Sequence, residues 1–108
     1  MRRSLRKRYV GFRLVSSRPY TRHQVVRLIF SELSTLKPPR DRDTRIRLIA
    51  YDADQSWGIV RCDHRSVDQI RCLVRHINTK REGQLALQIV GVSGTLKALK
   101  RKFLSPIQ

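Results

Sequence analysis

Four of the five Cys and His side chains, Cys62, His64, Cys72 and His76, fall close enough in sequence to suggest a metal site. On a helix, Cys72 and His76 would stand one turn apart and could reach one ion. Cys62 and His64 fall where a strand ends. No CxxC-type knuckle joins the four, and Cys62 fits equally as a core residue and Cys72 as a helix flank. No metal is expected on this chain. Nucleophilic chemistry meets a similar obstacle. Gly91-Val92-Ser93-Gly94-Thr95 misses a G-x-S-x-G elbow, because Thr95 stands where the closing glycine is required. Val10-Gly11-Phe12-Arg13 faintly resembles the phosphate loop of an acylphosphatase-like hydrolase. That chemistry needs an asparagine to orient water, and the one asparagine, Asn78, falls in a loop context. Asp52 and Asp54 are ordinary turn formers. No catalytic residue is expected.

The residues that do carry chemistry are cations. The 108 residues include 24 Lys and Arg against 8 Asp and Glu, a net charge of +16. Net charge speaks to partners rather than fold, and at this size it implies a polyanion such as nucleic acid. Its distribution says more. No acid occurs from Met1 to Ser31, and none after Glu82, where Lys97, Lys100, Arg101 and Lys102 follow. A surface charged merely for solubility would carry Glu in similar amounts. No stretch approaches the ~20 apolar residues of a membrane span. Arg13 interrupts the residues after the basic start, so no signal-peptide h-region forms. Two cysteines make no disulfide framework and suit a reducing compartment. A soluble, cytoplasmic protein without a membrane partner is expected.

These cations need elements to position them. Residues 8–15 alternate as a strand. Thr21 with Gln24 is a capping-box pair that opens a helix to about Leu36, and Pro38 and Pro39 lie in the loop beyond it. Residues 45–52 and 56–63 read as a hairpin around Asp52-Ala53-Asp54-Gln55. Ser66 with Gln69 is a second capping-box pair, opening a helix to about Asn78 with the stripe Val67, Ile70, Leu73, Val74 and Ile77. Residues 84–92 form a fourth strand. Gly91 to Thr95 turns into a last helix with Leu96, Leu99 and Phe103 on one side. The order predicts one α+β domain over 1–108, an RRM-like or ferredoxin-like βαββαβ sandwich with an additional C-terminal helix. Residues 1–7 make a basic N-terminal arm and 95–104 a basic helix.

Alternation places Tyr9, Arg13, Arg47, Tyr51, Trp57 and Arg61 on the sheet face away from the two main helices. Aromatics interleaved with Arg suit RNA, although Ser56 to Cys62 lacks the aromatics of an RNP1 signature. The alternative is that the last helix lays Leu96, Leu99 and Phe103 over part of this face. At that helix, Gly91, Ser93 and Gly94 permit tight turns whose N–H groups face an anion. The helix N-terminus adds its positive dipole end, and Lys97, Lys100 and Arg101 share one helical face. A phosphate-tracking surface is expected there, against the simpler alternative of an amphipathic helix. On the first helix the apolar residues span an arc of roughly 200°. Leu28 and Phe30 are its excess and are expected to meet a protein, unless the helix is simply buried more deeply.

Several segments together resemble the ribonuclease P protein component 2 family of archaea, shared with eukaryotes. They are Arg8-Tyr9-Val10, Arg47-Leu48-Ile49-Ala50-Tyr51-Asp52, Gly58-Ile59-Val60-Arg61-Cys62-Asp63-His64, and above all Gly91-Val92-Ser93-Gly94-Thr95-Leu96-Lys97-Ala98-Leu99-Lys100-Arg101-Lys102-Phe103-Leu104. The resemblance implies an RRM-like sandwich and a role in removing the 5′ leader from precursor tRNA. It implies that the ribonuclease P RNA and its Mg²⁺ carry the chemistry while this protein supports that RNA. Its protein partners would be a TIM-barrel-like ribonuclease P subunit and the other ribonuclease P proteins. The expected RNA contacts are Arg2, Arg3, Arg6, Lys7 and Arg8 near the start, and Arg13, Arg47 and Arg61 on the sheet. Ser93, Gly94, Thr95, Lys97, Lys100, Arg101 and Lys102 complete them. A stand-alone RRM-like or ribosomal RNA-binding protein is the alternative.

Overall fold

The computed structural model describes residues 6–36 and 46–104, leaving aside the side chains of residues 35, 36 and 102–104. Arg2, Arg3 and the proline loop lie outside the described residues, as do the side chains of Lys102 and Phe103. The elements are β1 (Lys7–Ser16), α1 (Arg22–Leu36), β2 (Arg47–Asp52), β3 (Trp57–Asp63), a 3₁₀ turn (His64–Ser66), α2 (Val67–Lys80), β4 (Leu85–Ser93) and α3 (Leu96–Leu104). All strand pairs are antiparallel, in the order β2-β3-β1-β4. This is the expected βαββαβ sandwich with a helix added.

The start of α1 follows the sequence closely. The Thr21 N–H donates to Gln24 Oε1 at 2.9 Å, and the Gln24 N–H donates to Thr21 Oγ1 at 3.2 Å, which is the reciprocal capping box. The start of α2 does not. The Ser66 hydroxyl donates to Asp63 Oδ1 at 3.0 Å, and the same oxygen accepts the Arg65 N–H at 3.0 Å. Asp63 precedes Ser66 by three residues and takes the capping role, so a 3₁₀ turn is inserted and Ser66 caps nothing with its side chain.

Val10, Phe12 and Leu14 of β1 meet Val25, Ile29 and Leu33 of α1 and Ile70, Leu73 and Ile77 of α2 in one core. Two corrections concern what faces it. The register of β2 against β3 slips between Leu48 and Ala50. Ile49 is the extra residue, and a single insertion moves every later side chain to the other face. Tyr51 therefore packs on the helix-side core instead of standing on the open face. Its hydroxyl donates to the Tyr20 carbonyl at 2.8 Å. On α1, Leu28 is 7% exposed and belongs to the core, and Phe30 is half-buried against it. The wide apolar arc arises because α1 packs against both the sheet and α2; Leu28 is not a free protein-binding face.

The one asparagine also sits elsewhere than expected. Asn78 is helical, and it spans to β4: its Nδ2 donates to the Leu87 carbonyl at 2.9 Å, and its Oδ1 accepts the Leu87 N–H at 2.7 Å. Val10 to Arg13 lie inside a strand, so they form no phosphate loop.

Candidate nucleic-acid interface

The face of the sheet opposite α1 and α2 is ordered in three rows by strand register. The middle row is Ala50, Ile59, Gly11 and Gly91. Helix α3 lies over this part of the sheet, in contact with β4 and β1. Leu99 and Ile59 are both 0% exposed although neither joins the main core. They form a small second core, and the paired glycines add no side chain to that row. The C-terminal helix thus covers the centre of the open face.

The flanking rows remain accessible. One reads Asp52, Trp57, Arg13 and Gln88, with Arg13 and Gln88 exposed. The other reads Arg47, Arg61, Tyr9 and Ser93, with Arg47 exposed and Arg61 and Tyr9 half-buried. Arg47 and Arg61 are direct register partners. Like charges opposite one another across two strands are destabilising, and no ion pair offsets either among the described residues. Folding gains nothing from this pair; an approaching phosphate would.

The Arg47 row leads into the turn before α3. There the expected nest of free N–H groups is partly spent. The Thr95 N–H donates to Ser93 Oγ at 3.2 Å, and the Ala98 N–H donates to Thr95 Oγ1 at 3.2 Å. Ser93 and Thr95 therefore act first as caps. The N–H groups of Leu96 and Lys97, in the first turn of α3, have no partner within the helix and face outward from its positive end. Arg8 stands beside this turn. Its Nη1 donates to the Lys7 carbonyl at 3.0 Å and lies 3.6 Å from where a side chain at Gly94 would begin. Lys97, Lys100 and Arg101 are all exposed and without an ion pair among the described residues.

One cation missed in the sequence, Arg65, joins this end. The His64 N–H donates to the Arg6 carbonyl at 2.8 Å, and the Arg6 N–H reaches His64 Nδ1 at 3.2 Å. That clasp brings Arg6 and Lys7 beside His64 and Arg65, all exposed. The Asp63 cap was the available signal, because it turns the chain back toward the start of β1.

The metal and nucleophile candidates are dispersed. Cys62 is 1% exposed in the core. Burial first, and the Asp63 charge second, push its thiol up to about 11 against the smaller opposing effect of Arg8, so it is a poor ligand or nucleophile. Cys72 is exposed on α2. His76 Nε2 lies 3.1 Å from Glu32 Oε1 instead. Among the described residues no three His, Cys, Asp or Glu side chains are arranged to hold a metal ion. Likewise no described helix is long and apolar enough to cross a membrane.

Residues 8–104 match the Rpp14/Pop5 family. Ribonuclease P protein component 2 of Pyrococcus horikoshii is 38% identical over 104 residues, which cover 93% of this chain and 84% of that protein. The protein of the same name from Methanosarcina mazei is 32% identical over 100 residues, covering 92% and 84%. A chain in the cryo-EM structure of yeast ribonuclease MRP shares the fold, with a TM-score of 0.64 at 11% identity over 89% of this chain and 79% of that one. With the match running from the first strand to the last helix, the chain belongs to the Rpp14/Pop5 family.

Proposed function

We propose that this chain is a protein subunit of ribonuclease P that binds and supports the catalytic RNA during removal of the 5′ leader from precursor tRNA. The family and the relatives named ribonuclease P protein component 2 support the assignment. The structural observation that carries it is the Arg47–Arg61 pair, which opposes folding and is explained by a polyanion. RNA backbone would run along the Arg47, Arg61, Tyr9, Ser93 row and onto the cationic side of α3. Such contacts position the RNA and carry little sequence information. The RNA and its Mg²⁺ perform the hydrolysis, and no residue of this chain is assigned to it. The protein acts in the cytoplasm, beside a TIM-barrel-like ribonuclease P subunit and the other ribonuclease P proteins.

The test is Arg47→Ala with Arg61→Ala. Affinity for ribonuclease P RNA should fall, and the slope of log affinity against log salt should drop by about two contacts. The melting temperature should hold or rise, because a repulsive pair is removed. Unchanged RNA affinity would overturn the assignment of this row. Reconstitution completes the test: the chain with Mg²⁺ alone should leave precursor tRNA intact, and cleavage should require the RNA subunit.

A further inference from the structure

The end of β1 away from the cationic row opens into a cleft of about 400 Å³. Its walls are Ser17, Arg18 and Tyr20 before α1, Gln24 within α1, and Gly83 and Gln84 before β4. The two sides are far apart in sequence and meet only in the fold. The size falls within the range of small-ligand sites.

The walls are fixed, and their hydrogen-bonding groups are unspent. The Tyr20 carbonyl is held by the Tyr51 hydroxyl at 2.8 Å, and the Tyr20 side chain packs half-buried on the core. The Arg18 carbonyl is held by the Ser16 hydroxyl. Gln24 uses its amide oxygen on the Thr21 N–H, which leaves its NH₂ group. The side chains of Ser17, Arg18 and Gln84 are exposed and make no hydrogen bond among the described residues. Gly83 has φ +90 and nothing within 4 Å of where a side chain would begin, so this side of the cleft is open.

An anchored aromatic, two amides, one guanidinium and a hydroxyl, with no carboxylate in the lining, match the chemistry of an unstacked nucleotide. The base would stack on the Tyr20 ring and meet the amides of Gln24 and Gln84 along its edge, with Arg18 on the phosphate. We propose that this cleft takes one unstacked nucleotide of the bound RNA. The inference rests on the RNA-binding reading above. Tyr9 of the cationic row and Ser17 of the cleft are eight residues apart, so at the rise of a strand the cleft lies roughly 25 Å from that row. The protein would then hold its RNA at two points, by charge at one end of β1 and by a base at the other.

The test titrates the full chain with AMP, UMP and inorganic phosphate, following backbone amide shifts by NMR. The nucleotides should shift residues 17–24 and 83–84 saturably. Gln84→Ala and Tyr20→Leu should each weaken that binding at least about five-fold, and the exposed Gln84 site keeps the test valid if Tyr20→Leu unsettles the fold. Phosphate reproducing the same shifts would overturn the proposal, since only a charge would then be read. So would unmoved amides in a protein that still binds ribonuclease P RNA, a result that leaves the assigned function standing. Loss of all RNA binding by the unaltered chain would overturn both.

Discussion

On the helix side of the sheet, Glu32 is 2% exposed and gathers His76 at 3.1 Å, Lys80 at 3.2 Å and Arg81 at 3.8 Å. On the α3 side, Lys97, Lys100 and Arg101 stand exposed and unpaired among the described residues, and the sequence has no acid after Glu82. The same kinds of side chain thus serve two ends. Where charge ties α1 to α2, an acid is supplied within the chain. Where it faces outward, the counter-charge must come from another molecule. The apolar contacts divide likewise. One large core joins α1 and α2 to the sheet, and a small one seats α3 through Leu99.

The cores offer the sharpest way to break this comparison. Ile77 and Leu99 are both 0% exposed. Ile77→Ala should cost about 2–5 kcal/mol, the usual range for a buried aliphatic truncation, and lower the denaturation midpoint accordingly. Leu99→Ala should move that midpoint less and speed hydrogen exchange within α3, since the main contacts of α3 are with β4 and β1. The thiols provide an internal readout. Cys72 should label readily in both variants, whereas Cys62, on the helix side, should become accelerated only in Ile77→Ala. Equal midpoint shifts would mean that the two cores unfold as one unit.

Glu32 gives the next effect. Burial alone would raise its carboxyl, but the hydrogen bond and charge of Lys80, followed by those of His76, hold it below its ordinary 4.5. A depressed folded value means that its stabilisation is fully present above pH 4.5 and is lost as pH falls through the folded value. Glu32→Gln should therefore destabilise on the order of 1 kcal/mol at neutral pH, with partly exposed partners limiting the loss. The gap to the unaltered chain should close on acidification. A gap that persists at low pH would make the residue a packing element rather than a charge centre.

The smallest stability change belongs to the α3 cations. Replacing Lys97, Lys100 and Arg101 together with Ala should leave stability within about 0.5 kcal/mol. The salt slope for RNA binding should drop by up to about three contacts. An unchanged slope would assign them to solvation alone.

Element order and the α1 cap were legible because they depend on neighbours in sequence. Thr21 and Gln24 are three apart, and the stripe from Val67 to Ile77 repeats with the helix. The Ile49 bulge was not legible, since Leu48, Ile49, Ala50 and Tyr51 form one apolar run that marks no side, and only pairing with β3 reveals the extra residue. The second capping box misled for a similar reason: Ser66 and Gln69 have the right spacing, but Asp63 competes for the same groups. At the candidate interface, Arg47, Arg61 and the α3 cations were legible from type and spacing. Their direct opposition, the clasp of Arg6 by His64, and the cleft joining Tyr20 to Gln84 depend on register and tertiary packing, which leave no local mark.

The hydrogen bonds of Asn78 bear on how this protein can meet other chains. β4 is one edge of the sheet, and Asn78 occupies both the N–H and the carbonyl of Leu87 there. At the other edge, Arg22 Nη2 donates to the Leu48 carbonyl at 2.8 Å, directly before the Ile49 bulge. A foreign strand seeking to extend the sheet would find its ladder interrupted on either side. Assembly by strand addition, the route open to many exposed sheets, is obstructed at both borders. At the high local concentrations of a ribonucleoprotein, copies of this chain should meet through faces and side chains while their sheets stay separate.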